Sequence, residues 1–565
     1  MSNPPRQPSL RSATTTAVSP STTRDGVIRN PSRANTNRDL ESGVRNGKID
    51  GQLDQINQTT KPAGHEEHHH HHHLHLGDYN TIPRTKAFWA KFNGAGKKHV
   101  PGWVESANNT FRHSWLMLFF VFIPLSWAAH WARWHYSLTF ALSFLAIIPL
   151  EKLSDFGGEQ MALYLGMSLG DFLVITLDNV VEATLAIILL THCELKLVQS
   201  TLIGVILLHL LLVPGTAFLT GGARIWEQHL APHPTQLNHS LLTFGVMILL
   251  LPVALFSALP TSLPSASSGG STAAVAARLM ARAGSEEEQG KAIKEAMVHA
   301  AEAIAVTDST RGTFLAFSRG LSILLLLAYI GSRIYLHNPP GENNALELHP
   351  SAPEAEKRRE AEAEQAQPLI GPWFGVALLA VIVALIAVTA EWLVSSIEQV
   401  RDRGTISSEW FGLILLPLLS FSADGLIAVV YFLKTILFLH PGSPEELAKA
   451  RSIDLSIQFA LFWMPAIVLL GWWTHRPMSL LFDLWEVAIL IGACFLVNYV
   501  TADAKTNWVE GMIMVLFYVA IALVAWFYNG QPEVHEMLRC ETVADSLAVV
   551  ASAISGAATE ATHAG

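Results

Sequence analysis

The stretch GMSLGDFLVITLDNVVEATLAIILL, Gly166 to Leu190, is long and apolar enough to cross a bilayer, yet it carries Asp171, Asp178 and Glu182. Carboxylates at membrane depth are costly and mark functional sites. Spacings of seven and four residues put the three acids on one face of a helix, with Asn179 beside them. The expectation is a single acidic stripe that faces protein or a water-filled cavity, where a cation or protons must compensate the mutual repulsion.

Transporters built from repeats place their sites where a broken helix from each half meets, so a second acidic span is sought. EWFGLILLPLLSFSADGLIAVVYFLK, Glu409 to Lys434, supplies it. Pro417 removes a helix hydrogen bond, Ser420 and Ser422 can re-satisfy freed backbone groups, and Asp424 is the buried acid. Setting Glu182 opposite Asp424 also sets Ala186 opposite Ala428. The alternative for this span alone is a Pro-kinked structural helix with one paired Asp. Each acidic span is followed by one with a polar group in its middle, His209 in TLIGVILLHLLLVPG and Gln458 in SIDLSIQFALFWMPAIVLLGWW. Each is either part of the site or an interhelical hydrogen bond. Glu391 and Glu398 in TAEWLVSSIEQV, seven apart near a span end, read as cation-access residues or as paired helix-end acids.

The elements that must position these groups are membrane helices. A chain of 565 residues with 50% hydrophobic residues, 15% charged residues and mean hydropathy +0.32 is too apolar for an ordinary soluble protein. Eleven apolar runs are expected, near 114–130, 136–150, 162–190, 197–219, 240–259, 314–336, 369–394, 410–438, 453–473, 480–500 and 508–528. The fold class is therefore an all-α membrane protein. Residues 1–113 carry 15 Lys and Arg against 9 Asp and Glu, net +6, whereas the whole chain stands at 37 against 47, net −10. The positive-inside rule then favours a cytosolic N-terminal side, and eleven spans put the C-terminus across the membrane. Two soluble connections interrupt the runs: Thr261 to Arg311, and His337 to Pro368 with seven Glu against three basic residues.

The N-terminal tail lacks apolar periodicity and reads as disordered. It holds HEEHHHHHHLHL, His65 to Leu76, which is either a low-affinity zinc, nickel or copper site or a low-complexity or tag-like tract. Cys193, Cys494 and Cys540 are far apart with no CxxC spacing, so neither a disulfide framework nor a thiolate metal site is indicated. No HExxH, GxSxG or Walker pattern appears where catalysis could use it, which argues against an intramembrane enzyme.

From about Phe111 to Gly530 the chain resembles the cation/proton exchangers of the calcium/cation antiporter superfamily, especially fungal vacuolar Ca²⁺/H⁺ exchangers. The resemblance is carried by FLAIIPLEKL, by Gly170, Thr176, Asn179 and Glu182 in a GxxxxxTxxNxVE frame, and by LLLVPGTAFLTGG, FSRGLSILLLLAYI, ALIAVTAEWLVSSIE, FGLILLP, SIQFALF and NYVTADAKTNWVEGMIMVLFY. It implies one extra helix plus two inverted five-helix repeats, with a divalent-cation site between the repeats and transport coupled to protons. Glu182, Asn179 and Thr176 match the first-repeat acid, amide and threonine, and Gln458 matches a second-repeat amide. The family's GNAAEH reads SFSADG here, so Asp424 takes the Glu position, Phe421 replaces an Asn and Gly425 replaces a His. Val174, Asp178 and His209 stand where Asn, Gly and Asn are usual.

The resulting expectation is a divalent-cation site of Glu182, Asp424, Asn179, Gln458, Asp178, His209 and Thr176 that exchanges Ca²⁺ for H⁺. Ca²⁺ wants six to eight hard oxygens, while Asp178 and His209 would pull toward Mn²⁺ or Zn²⁺. Ca²⁺ and H⁺ are cargo, so no resident cofactor is expected, and the partners are these ions and membrane lipid, with no nucleic acid. The organisation implied is a cytosolic tail to residue 110, an extra helix at 111–135, repeats at 136–336 and 369–530 divided by the 337–368 linker, and a tail at 531–565. The resemblance implies the vacuolar membrane or another endomembrane. A transport-inactive relative acting as scaffold or metal sensor is the other reading.

Overall fold

Apolar runs punctuated by glycine, proline and capping residues become helices throughout. The computed structural model describes residues 81–94, 97–222, 228–229, 232–259, 308–337, 366–403, 407–436 and 451–540. The histidine tract and nearly all of both soluble connections lie outside these residues.

The described chain begins with α1 (Thr81–Phe92) and α2 (Trp103–Arg112), then a 3₁₀ turn (Trp115–Val121) leading into α3 (Phe122–Trp131). The first half continues through α4 (Tyr136–Leu165), α5 (Met167–Asp178), α6 (Val180–Thr191), α7 (Leu195–Gly221), α8 (Pro232–Ala258) and α9 (Asp308–His337). The second comprises α10 (Pro372–Arg403), α11 (Ser408–Lys434), α12 (Ser452–Trp473), α13 (Leu484–Val500), α14 (Trp508–Ala525) and the short α15 (Pro532–Met537).

Eight of these helices are long and apolar enough to cross a membrane unaided, and two bent pairs bring the number to ten. Leu484–Val500 is apolar but has only 17 residues. The expected extra helix at 111–135 is one of the bent pairs, with α2 turned 96° from the Trp115–Trp131 segment. α4 runs fifteen residues past the expected end at Leu150, because a helix continues wherever its hydrogen bonds are made, whereas hydropathy drops at Glu151 and Lys152.

Two helix starts are fixed by reciprocal caps. Asn507 accepts from the backbone of Val509 and Glu510 at 3.0 and 3.1 Å, and Glu510 accepts from Asn507 N at 3.0 Å. Asp483 and Glu486 form the same box at α13. The loop around Asp503 to Glu510 is tied by this cap and by β1 (Gln228–His229) pairing antiparallel with β2 (Lys505–Thr506). Between α4 and α5 the chain reverses at Gly166, whose φ of +84° suits glycine.

Among the described residues three helices carry a π-bulge, at Leu208–Leu212, Phe411–Leu415 and Phe459–Trp463. In each, a proline stands two residues beyond the bulge: Pro214, Pro417 and Pro465. Proline has no N–H and crowds the carbonyl four residues back, so that carbonyl lies inside the widened turn. The residue before each proline donates five residues back, as Leu416 N does to Phe411 O at 3.0 Å. The hydroxyls of Ser420 and Ser422 donate to Pro417 O and Leu419 O at 2.9 and 2.6 Å, which serves the backbone near the break as expected.

α7 is the centre of the bundle: 83% of its apolar segment is buried, against 28% for α9 and α14, which present Leu324, Leu327, Leu516 and Leu523 outward. It crosses α11 closely at Gly204, where a Cβ would collide with the backbone carbonyl of Leu413. Such small-residue crossings are how helices pack where lipid supplies no hydrophobic driving force.

Contacts at the helix ends set sidedness. At one end Gly371 N donates to Ser106 Oγ (2.9 Å) and Asn109 Nδ2 to Leu369 O (2.8 Å). At the other, Arg476 donates to Thr191 O (3.0 Å) and Arg311 to Arg539 O (3.0 Å). There Cys193 and Cys540 form a disulfide, with Cα atoms 6.4 Å apart, a pairing that the cysteine spacing does not indicate. Nothing in sequence spacing signals a pair separated by 347 residues; the α6–α7 turn and the segment after α15 meet only in the fold. That segment, placed in a tail by the sequence reading, packs Val534 and Met537 into the core.

Candidate cation site

The acidic stretch is not one continuous helix. α5 ends at Asp178, Asn179 takes φ −101° and ψ 8°, and α6 starts at Val180 with a 53° bend. The single stripe is therefore corrected: Asp171 and Asp178, seven residues apart on α5, keep a common face, and the bend puts Glu182 on a separate helix. Asp178 lines a cavity, Asp171 is not among the lining residues, and Glu182 lies in the first turn of α6. A carboxylate there meets the positive end of the helix dipole, as at the broken helices of other transporters.

Glu182 is 1% exposed, and across the bundle it meets the imidazole of His209, with Nε2 3.9 Å from Oε1. That distance is too long for a hydrogen bond. Ser420 also faces Glu182, but its hydroxyl is directed to Pro417 O, leaving both carboxylate oxygens with no donor at hydrogen-bonding geometry among the described residues. His209 sits in the α7 bulge and lines the cavity.

The amides form a separate, connected group. Asn179 Nδ2 donates to Gln458 Oε1 at 2.8 Å, and Gln458 Nε2 donates to Thr176 Oγ1 at 3.0 Å. Thr176 in turn donates to Phe172 O at 2.7 Å. Asn179 and Gln458 are fully buried, so this chain ties the helix break of the first half to α12 of the second. Asn179 Oδ1 has no donor, which leaves one buried oxygen available to a ligand.

The cavity, about 150 Å³, is lined by five carboxylates: Glu151, Asp155 and Glu159 of α4, Asp178 of α5 and Asp424 of α11. It also meets Lys152, His209, Ser420 and Phe421. Asp424 does not pair with Glu182; its Oδ1 is 3.4 Å from Lys152 Nζ, which is also 3.6 Å from Asp155. The α4 acids were missed by the sequence reading. Their signal is present, since Glu151, Asp155 and Glu159 recur every four residues and so share a helix face. Glu391, near the far end of α10, is paired with His192 at 2.8 Å, while the side chain of Glu398 lies outside the described residues.

A second buried polar cluster occupies the opposite end. Lys196 of α7 pairs with Asp483 (2.9 Å) and Glu486 (3.4 Å), Ser200 donates to Glu486 (2.7 Å), and Tyr528 donates to Asp483 (2.9 Å). The Tyr528 hydroxyl, beyond the last span, is held protonated well above its usual range by burial and by Asp483. Lys196 and both of its acids are 6% exposed or less, so this cluster is sealed, with Asp483 Oδ1 left without a donor among the described residues.

The sodium/calcium exchanger protein family matches residues 374–527. A vacuolar calcium ion transporter of Cryptococcus neoformans var. grubii is 32% identical over 472 residues, covering 76% of each chain. The chain belongs to the cation/proton exchanger family. A Ca²⁺/H⁺ antiporter of Synechocystis sp. is similar too, 29% identical over 73% of this chain and 97% of its own. The solved structure of native YfkE has the same fold, with TM-score 0.50 and 19% identity over 73% of this chain and all of that one.

Two of the departures implied by the resemblance, at Phe421 and Gly425, are in contact. A Cβ at Gly425 would lie 2.7 Å from the ring of Phe421, so the ring fills the space a side chain at 425 would need. Phe421 in place of Asn and Gly425 in place of His are thus one exchange of volume, made beside Asp424.

Proposed function

We propose that the protein exchanges Ca²⁺ for protons across an endomembrane, loading the vacuole. Glu182 and Asp424 supply charge in this reading, Asn179, Gln458 and Thr176 supply oxygen ligands, and Asp178 and His209 border the ion's path. The observation that carries it is Glu182: a buried carboxylate without a donor, beside His209, at the edge of an acid-lined cavity. Burying such a group unpaired is costly, and a proton or a dication removes the cost in two different ways. Competition of the two for the same oxygens is the minimum needed for antiport.

The names of the relatives, a vacuolar calcium ion transporter and a Ca²⁺/H⁺ antiporter, support the ions and the compartment. The cavity draws on the middle of α11 and on the first turn of α12, whose start lies on the side of residues 97–109, the side the charge count makes cytosolic. Its carboxylates would collect Ca²⁺ from there.

The test is Ca²⁺ uptake into acid-interior vesicles carrying the protein, with Mn²⁺, Zn²⁺ and Na⁺ as competitors. Uptake that follows the pH gradient and collapses with it is expected. Correctly inserted protein that takes up nothing would favour the scaffold or sensor reading.

A further inference from the structure

The cavity holds five carboxylates and one ammonium, that of Lys152. Lys152 lies inside α4, well away from either helix end, so its charge is held at membrane depth where it needs a reason. Its Nζ stands between Asp155 on its own helix (3.6 Å) and Asp424 of the other half (3.4 Å). Among the described residues no three carboxylate, imidazole or thiol groups converge closely enough to hold a metal. The acids are instead arranged around the lysine.

The two lysine clusters of the bundle differ in a telling way. Lys196 and its acids are sealed, and the nearest pair is at 2.9 Å. Lys152 is 18% exposed, while Asp424 is 44% exposed and opens on the cavity. The first is a fixed structural pair, whereas the second is loose and reachable by another cation. A lysine suits this role because its ammonium is a compact point charge on a flexible four-carbon stem and can swing aside.

We infer that Lys152 is a tethered counter-cation of the transport cavity, holding Asp155 and Asp424 when no metal is bound and displaced when a dication enters. The inference rests on the exchanger reading above and adds a selectivity device to it. A monovalent ion must displace an equal charge that is already attached to the protein at high effective concentration, and so is rejected. A dication brings twice the charge to the same carboxylates and prevails. Lys152 is then a specificity-determining residue.

The test uses the full-length chain. In equilibrium binding with radioactive Ca²⁺, Lys152→Met should bind Ca²⁺ roughly tenfold tighter or more, since nothing has to be displaced, and should become sensitive to Na⁺. Lys152→Arg, which keeps the charge, should keep Na⁺ rejection. In vesicles Lys152→Met should lower both KM and turnover, a split that a merely structural pair would not produce. A measurement on the unmodified protein guards against misfolding of the variants: acylation of Lys152 by a small amine reagent, read by mass spectrometry, should rise when Ca²⁺ saturates the site. Unchanged acylation, or a folded Lys152→Met with unchanged Ca²⁺ affinity and Na⁺ rejection, overturns the inference alone. Absence of gradient-driven uptake by the unmodified chain overturns the exchanger reading and takes this inference with it.

Discussion

His209 Nε2 stands 3.9 Å from Glu182 Oε1, and Asp424 Oδ1 stands 3.4 Å from Lys152 Nζ. Each of the two acids placed opposite one another by repeat matching therefore faces a nitrogen group of its own, an imidazole for Glu182 and an ammonium for Asp424. The imidazole borders both the cavity and the buried carboxylate.

Replacing Glu182 with Gln keeps size and hydrogen bonding but removes the exchangeable charge. Gradient-driven Ca²⁺ uptake should vanish, while the size-exclusion profile and helical circular dichroism stay as in the parent. Uptake at the parent's rate would make the buried acid structural and end the proposed site.

His209→Asn puts an oxygen donor where a nitrogen stands, and oxygen suits Ca²⁺ while imidazole suits Zn²⁺. Competition assays should show Ca²⁺ gaining on Zn²⁺. Identical competition curves would leave His209 as packing in the α7 bulge.

Lys196→Met should destabilise the bundle by about 3–5 kcal/mol, because Asp483 and Glu486 lose the ammonium that compensates them in a sealed site. Thermal unfolding in detergent measures it. Adding Glu486→Gln should restore part of the loss, and Ca²⁺ affinity of the folded fraction should not move. An unshifted midpoint in Lys196→Met would show that the cluster contributes no stability.

Composition alone suggests that residues 1–100 are dispensable, but Phe92 packs with Met161 and Tyr164, and Lys97 donates to Ala366 O at 3.3 Å. Removal of residues 1–78 should leave uptake intact, whereas removal of 1–100 should lower the unfolding midpoint. Equal midpoints would mean that these contacts contribute nothing.

What was legible in the sequence was whatever depends on near neighbours. Pro417 announced a helix defect and Ser420 and Ser422 its remedy, and hydropathy located most of the helices. What was hidden depends on distant segments or on backbone with no marker. Asn179 breaks its helix with neither glycine nor proline beside it, so the acids looked like one stripe. The α4 acids fell beyond the point where the hydropathy window closed, although their four-residue recurrence is plain once the helix is known to continue. The pairing of Asp424 with Lys152 joins residues 272 apart and could be read only from the fold.

The disulfide between Cys193 and Cys540 turns most of the exchanger into a covalent ring. Both soluble connections, 261–311 and 337–368, fall within it. A protease that nicks either one therefore opens the ring without releasing a fragment. Non-reducing electrophoresis would still report a single species of parental mass, and only reduction would part the two halves. The halves that carry Glu182 and Asp424 are thus joined twice, once by the linker and once by sulfur, and a cut linker is not a separated carrier.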